Sequence, residues 1–410
     1  MAKLLIISFD ALGDSAFDRA AALPNTGSFL KESVLVRDVR SVFLTNTYPV
    51  HVSVVTGLPP GKHGLTSNVP VMPVRYPLWN YRASLIRAKT LPQAVAERGG
   101  KTAAVLWPVT GGAKSIRWNL PEIMPQPGDN QILLNMKHGS VLTQFRLWRK
   151  YGRLLSGIKQ PNLDRFSAAC MSDLLRRNRP DLALVHLTAY DSLCHFFGPG
   201  TEEAHAALKV LDAALSSLLN AAGPEYDVIL FSDHGQFPLS HEILPNDMLL
   251  EMGLLNKDDG GSYILQEEGC FFECCGGAAF FHGGSLGLEK IDVIRRELQG
   301  SPGFNRFLTP EELTEAGRER SAFGCCAAEG FSYEVYPEGH KGQHGYPADY
   351  PNYGVFYAVR SAGARKGQVI HGGSLLDIAP IALKLLGEGL PASRGPVIPG
   401  LPPARGDIFL

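Results

Sequence analysis

No excess of charge of either sign marks this chain. Its 39 Lys and Arg oppose 40 Asp and Glu across 410 residues, a formal net charge of −1. A field of the whole molecule therefore does not draw it to nucleic acid or an anionic membrane, and any phosphate recognition must be local. Long hydrophobic runs are also missing. The first, Leu4 to Phe9, stops at Asp10, far short of the ~18 apolar residues of a transmembrane helix and without a small-residue cleavage site. Cysteines number seven, an odd count without Cys-x-x-Cys spacing, which argues against both a disulfide framework and a zinc knuckle. There is no internal repeat, and Pro59-Pro-Gly-Lys62 lacks the pattern of a nucleotide-binding phosphate loop and reads as a turn. The expectation is a cytoplasmic protein in a reducing setting, with no membrane or stable nucleic-acid partner.

What is present is an α/β pattern. Leu4 to Phe9 is a continuous apolar and β-branched run of the kind buried on both faces of a parallel sheet, and Thr102 to Leu106, Leu182 to Leu187, Val228 to Phe231 and Val355 to Val359 resemble it. Helical periodicity occupies Leu163 to Arg177 and Glu202 to Leu219. The fold class expected is α/β, a central mostly parallel sheet flanked by helices, with the core at residues 1–238 and 341–410. Residues 107–160 read as a variable insertion. Residues 239–340 read as an inserted α+β cap lobe, with strands at Ser262 to Phe272 and Ala278 to Phe281, a helix at Leu288 to Leu298, and clustered thiols read as reduced. The Pro- and Gly-rich tail after Gly387 reads as an ordered surface wrap or a partly flexible segment.

Candidate ligands collect where β-type runs give way to loops, so distant side chains can converge at one sheet edge. Asp10 follows the first strand. Asp191 and His195 lie four residues apart after another, so one helical turn aims both at a single ion. Asp233 and His234 follow a third, and His344 sits in a glycine-rich loop. One such histidine is usually structural, but the joint occurrence points to metal. Carboxylates and imidazoles without thiolate suit Zn²⁺, with Mn²⁺ the alternative. Thr47 opens a short buried segment ending at Gly57. It is expected to cap that helix, whose free N–H groups favour an anion beside the hydroxyl.

These segments resemble the alkaline phosphatase superfamily and, within it, the nucleotide pyrophosphatase/phosphodiesterase (type I phosphodiesterase) family. The resemblance runs from Ser8-Phe-Asp10 through Thr45-Asn-Thr47-Tyr-Pro-Val-His51 and Val55-Thr-Gly to Ser67-Asn68, and on through the Asp191, Asp233 and His344 motifs to Gly373-Ser-Leu-Leu-Asp-Ile-Ala-Pro380. It implies two divalent ions, one held by Asp191, His195 and His344, the other by Asp10, Asp233, His234 and the Thr47 oxygen. It implies Thr47 as the nucleophile of a phosphothreonine mechanism and Asn68 as donor to a nonbridging phosphoryl oxygen. Tyr48 and His186 are the implied substrate-facing residues, although His186, Val50 and Leu44 depart from the nucleotide-cleaving pattern. The implied activity is hydrolysis of phosphodiester or pyrophosphate bonds in a small-molecule phosphate ester. Alternatives are a phosphate monoesterase, phosphonate hydrolase or phosphomutase of the same superfamily, and lastly a non-catalytic binding protein.

Overall fold

The structure is a computed structural model that describes residues 2–72, 79–124 and 128–387; the tail expected as a surface wrap lies outside the described residues. Its centre is an eight-stranded sheet of β1 (Lys3–Phe9), β2 (Val34–Val39), β3 (Thr102–Val105), β4 (Trp118–Leu120), β5 (Leu182–Leu187), β6 (Tyr226–Ser232), β7 (Val355–Arg360) and β8 (Val369–His371). The spatial order is β8-β2-β7-β6-β1-β5-β3-β4. Strands β6, β1, β5, β3 and β4 run parallel, whereas β7 is antiparallel to both β6 and β2. This is the mostly parallel α/β sheet that the apolar runs imply.

Residues of β1 alternate between two cores, as the two-residue period of a strand requires. Leu5, Ile7 and Phe9 pack with Phe166, Leu174, Leu208 and Leu215 of the helices Asn162–Asn178 and Glu202–Ala222. Leu4 and Ile6 face the opposite layer, where Val50 and Val54 of the helix Thr47–Thr56 meet Ile378 and Ala382 of the helix Ile378–Leu385. With both faces covered, β1 from Leu4 and all of β5 are buried without alternation, and apolar except for Ser8 and His186.

A second lobe is built on a four-stranded antiparallel sheet of Phe271–Cys274, Ala278–His282, Phe323–Ala327 and Phe304–Phe307, in that spatial order. The helix Leu288–Gln299 contributes Ile294 and Leu298 to its core. The single strand expected over Ser262 to Phe272 is divided. Tyr263–Leu265 pairs with Leu255–Lys257, and the chain turns at Gly269, with φ 67°, before Phe271 enters the lobe's sheet. Such a φ suits glycine, and the turn separates two strands of different sheets. Among the described residues, no helix is long and apolar enough to cross a membrane.

The lobe is fastened close to the site. A Cβ on Gly61 would lie 2.1 Å from the Thr314 carbonyl oxygen, so the turn Pro60–His63 and the helix Pro310–Ala316 approach to a distance only glycine permits. Buried Arg318 donates Nε to Glu273 Oε2 at 2.7 Å, pairs through Nη2 with Glu273 Oε1, and reaches across to the Thr66 carbonyl at 3.3 Å. Burial alone would raise the Glu273 carboxyl, but Arg318 and His282 overcome it and hold the group at about 2, below its usual 4.5. A depressed folded value means that this pair stabilises the protein above the unfolded carboxyl's titration, and that the contribution is lost as pH falls toward about 2. Glu273→Gln should therefore cost about 3 kcal/mol at neutral pH, the scale for breaking a buried ion pair. It should also flatten the acid loss of stability, and urea unfolding across that pH window measures both effects.

Candidate active site

Strands β6, β1 and β5 end in step. Phe9 of β1 is level with Leu187 of β5 and Ser232 of β6. Asp10 and Asp233 therefore emerge side by side from neighbouring strands, and the helix Ala189–Phe197 brings Asp191 and His195 to the same edge. His344 follows the short strand Gly342–Gln343, and Lys341 N–H donates to the His195 carbonyl at 2.7 Å, which docks that loop on the helix.

The donors form two adjoining groups, Asp191 with His195 and His344, and Asp10 with Asp233 and His234, the ligand atoms of each lying within 4.8 Å of one another. The His234 and His344 rings stack at 4.1 Å and join the groups. Thr47 Oγ1 lies 3.3 Å from His234 Nε2, which is itself 3.3 Å from both Asp10 Oδ1 and Asp233 Oδ2.

Each of the three histidines is held through Nδ1. His195 meets the Gly342 carbonyl at 2.9 Å, His234 the Gly235 carbonyl at 3.2 Å, and His344 the Thr45 carbonyl at 3.2 Å with Asn46 Oδ1 at 3.1 Å. A carbonyl accepts only from an N–H, so in the neutral rings Nε2 carries the free lone pair, as metal ligation demands. The carboxylates match. Asp233 Oδ1 accepts the Ala11 and His234 backbone N–H groups, both at 3.0 Å, while Asp233 Oδ2, Asp10 Oδ1 and Asp191 Oδ1 are buried without a hydrogen-bond partner. Orphaned buried carboxylate oxygens are costly, and three converging with free imidazole lone pairs fit a pair of divalent cations.

Charge balance points the same way. Burial, with the charges of Asp233 and Asp191, pushes Asp10 well above the usual carboxylate range, and burial pushes Asp233 up to about 6. Burial also raises Asp191, but His195, followed by His344 and His234, pulls it below its ordinary value overall. Burial drives His234 down to about 4 and His344 well below its ordinary value, favouring neutral rings. Such a set is strained by its own repulsion, which bound cations relieve.

Thr47 is not the cap expected. Asn46 occupies the cap position, Thr47 is the first helical residue, and no side chain caps the helix. The Thr47 hydroxyl is thus not committed to the backbone end of the helix. Thr45, by contrast, donates to the Tyr346 carbonyl at 2.7 Å and contacts the Tyr353 hydroxyl at 3.1 Å. Asn68 Oδ1 accepts the Tyr48 N–H at 2.9 Å, which fixes the amide flip and leaves its NH2 group as donor beside the Thr47 turn.

The two expected substrate-facing rings lie in the interior. Tyr48 is fully buried with Val52, Leu65 and Val109 and meets Trp79 edge-on at 5.0 Å, so packing claims the face that would have stacked on substrate. His186 is also fully buried, with Nε2 3.0 Å from Asp10 Oδ2 and Nδ1 3.1 Å from Glu122 Oε2. Burial would lower its pKa, but the hydrogen bonds it donates to both carboxylates, with their charges, hold it well above its usual value. Both of its ring nitrogens are thus engaged by carboxylates. His51, not singled out in the sequence, links the Thr47 carbonyl at 2.7 Å to Ser8 Oγ at 2.9 Å, and only its position one turn after Thr47 hints at this.

The sheet with its flanking helices has an alkaline phosphatase-like fold. The solved structure of murine ectonucleotide pyrophosphatase/phosphodiesterase 5, an inactive threonine-to-alanine variant in complex with AMP, superposes with a TM-score of 0.64 at 17% identity, covering 99% of this chain and 98% of that one. The family model for type I phosphodiesterase / nucleotide pyrophosphatase matches residues 4–279, and the chain belongs to that family. Human ectonucleotide pyrophosphatase/phosphodiesterase family member 5 is 30% identical over 309 residues, which is 72% of this chain and 58% of that protein. The bis(5'-adenosyl)-triphosphatase of Mus musculus is 42% identical over 66 residues, 16% of this chain and only 14% of that relative's length.

Because Glu122 contacts His186, which contacts Asp10, Glu122→Gln should weaken the binding of an added divalent metal ion by about tenfold, the usual scale for losing an outer-shell partner. Competition with a chromophoric chelator measures the affinity, and far-UV circular dichroism checks that the fold is kept.

Proposed function

We propose that this chain is a hydrolase of phosphodiester and pyrophosphate bonds in small-molecule phosphate esters, dependent on two divalent ions and working through a phosphothreonine at Thr47. The observation that carries this reading is the Thr47 hydroxyl, free of the helix end and in contact with His234 Nε2 at 3.3 Å, where the two donor groups adjoin. Asp191, His195 and His344 would hold one ion, and Asp10, Asp233 and His234 the other together with the Thr47 oxygen; zinc suits the nitrogen and oxygen donors, with manganese the alternative. When bound, the ions lower the pKa of the hydroxyl and offset charge on the departing oxygen.

Thr47 Oγ1 attacks phosphorus in line with the leaving oxygen. The new oxygen–phosphorus bond forms as the ester or anhydride bond breaks, and the phosphothreonine is then hydrolysed by water, which restores the hydroxyl. Asn68 donates its NH2 group to a nonbridging oxygen as negative charge builds there. The amino end of the helix Thr47–Thr56 adds its dipole at the same place. The murine neighbour, inactive as a threonine-to-alanine variant and holding AMP, supports the nucleophile and a nucleotide-type ligand. Seven free cysteines support a reducing, cytoplasmic setting.

Turnover of bis-p-nitrophenyl phosphate against p-nitrophenyl phosphate, with added zinc or manganese, tests the reading. The diester should be preferred. Thr47→Ala should abolish turnover while metal is retained, and Asn68→Ala should lose on the order of 10²-fold, as for one oxyanion donor. A preference for the monoester would reassign the chain to the phosphatases, and full activity in Thr47→Ala would remove Thr47 as nucleophile.

A further inference from the structure

The near-neutral balance of the whole chain conceals one strongly polarised segment. From Asn130 to Leu163 there are six Lys and Arg and no Asp or Glu. The same segment carries seven of the nineteen strongly exposed large apolar side chains among the described residues. Monomeric proteins seldom expose apolar side chains in such a cluster without a use for them.

The helix Val141–Tyr151 is mounted with its apolar side outward. Leu147 is buried, and Arg146 and Lys150 reach inward to Asp173 at 2.5 and 2.7 Å. Those anchors leave Leu142, Phe145 and Trp148, three residues apart and therefore on one face, 85%, 56% and 53% exposed. The preceding helix Gln131–His138 adds exposed Ile132 and Leu133. Around these lie exposed Lys137, Arg149, Arg153 and Lys159, for which no acidic partner occurs among the described residues. Tryptophan, phenylalanine and leucine on one face with a basic surround is the composition of helices that lie in a lipid–water interface.

We propose that the Asn130–Leu163 segment docks the protein on a membrane surface bearing anionic headgroups, with Leu142, Phe145 and Trp148 entering the headgroup boundary and the four free cations meeting lipid phosphates. Charge chooses the occupant. A second copy seated symmetrically on this face would bring the same unpaired cations against themselves, whereas an anionic bilayer complements them while burying the apolar face. The segment is also tied to the candidate site near both ends. Glu122, just before it, holds His186, and Gln160, within it, donates to Thr188 Oγ1 at 2.6 Å, three residues before Asp191. The inference stands whatever ester the site cleaves.

Co-sedimentation of the full chain with phosphatidylcholine vesicles, with and without phosphatidylglycerol, tests it. Wild type should pellet with the anionic vesicles, at least about tenfold more weakly with pure phosphatidylcholine, and less at raised salt. Leu142→Ser with Phe145→Ser, and separately Arg149→Glu with Arg153→Glu, should each reduce binding about tenfold or more. Thermal midpoint and turnover of soluble diester should stay unchanged, since these side chains lie outside the proposed catalytic groups. The two variants act through different forces, so misfolding of one leaves the other decisive. Absence of wild-type binding to anionic vesicles, or equal binding by wild type and both variants, overturns the proposal. So does a vesicle-indifferent dimer, seen by light scattering, that Leu142→Ser with Phe145→Ser converts to monomer, because the occupant would then be a second copy.

Discussion

The site depends on three adjacent parallel strands stopping together. With Phe9, Leu187 and Ser232 level, the next residues of β1 and β6 place two carboxylates at neighbouring lattice positions, and one turn of helix after β5 supplies a third. Strand spacing is set by backbone hydrogen bonds, so the ligand spacing is set by the sheet and not by flexible side chains. Three buried carboxylates held this close repel one another, which is why burial and mutual charge raise Asp10 and Asp233. The remaining architecture reads as support for that concentration of negative charge.

That support is organised by direction. Backbone carbonyls take the Nδ1 side of His195, His234 and His344, and backbone N–H groups take Asp233 Oδ1, so the inward atoms stay unengaged. The same logic extends outward through His186 to Glu122 and through His51 to Ser8. On the lobe side, the bond from Arg318 to the Thr66 carbonyl steadies the loop two residues before Asn68. The proposed roles of Thr47 and Asn68 require positions fixed to within a fraction of an ångström, and buried neighbours contact both side chains.

Much of this was legible in the sequence, for identifiable reasons. Strands buried on both faces leave continuous apolar runs, so β1, β5 and β6 and the carboxylates after them stood out, and Asp191 with His195 matched a helical turn. Strand β2 did not stand out, because Val34–Val39 interleaves Arg37 and Asp38 near the sheet's rim, where polar residues cost little. The Ser262 to Phe272 strand is divided at the turn Gln266–Gly269, where Gln266, Glu267 and Glu268 already interrupt the β-type residues. Tyr48 and His186 were placed by resemblance at the substrate, but partners from distant segments, Trp79 and Glu122, enclose them. Thr47 was expected as a cap because side-chain type at a helix start does not reveal which of two adjacent residues bears the non-helical backbone angles.

The proposed chemistry requires each of the two donor groups to hold an ion beside Thr47. Crystals of the wild-type protein grown with zinc, measured with anomalous scattering at the zinc edge, test this directly. The account predicts two peaks, one enclosed by Asp191, His195 and His344 and the other by Asp10, Asp233 and His234 in contact with the Thr47 oxygen. A single peak, or zinc bound away from these side chains at saturating concentration, would contradict it.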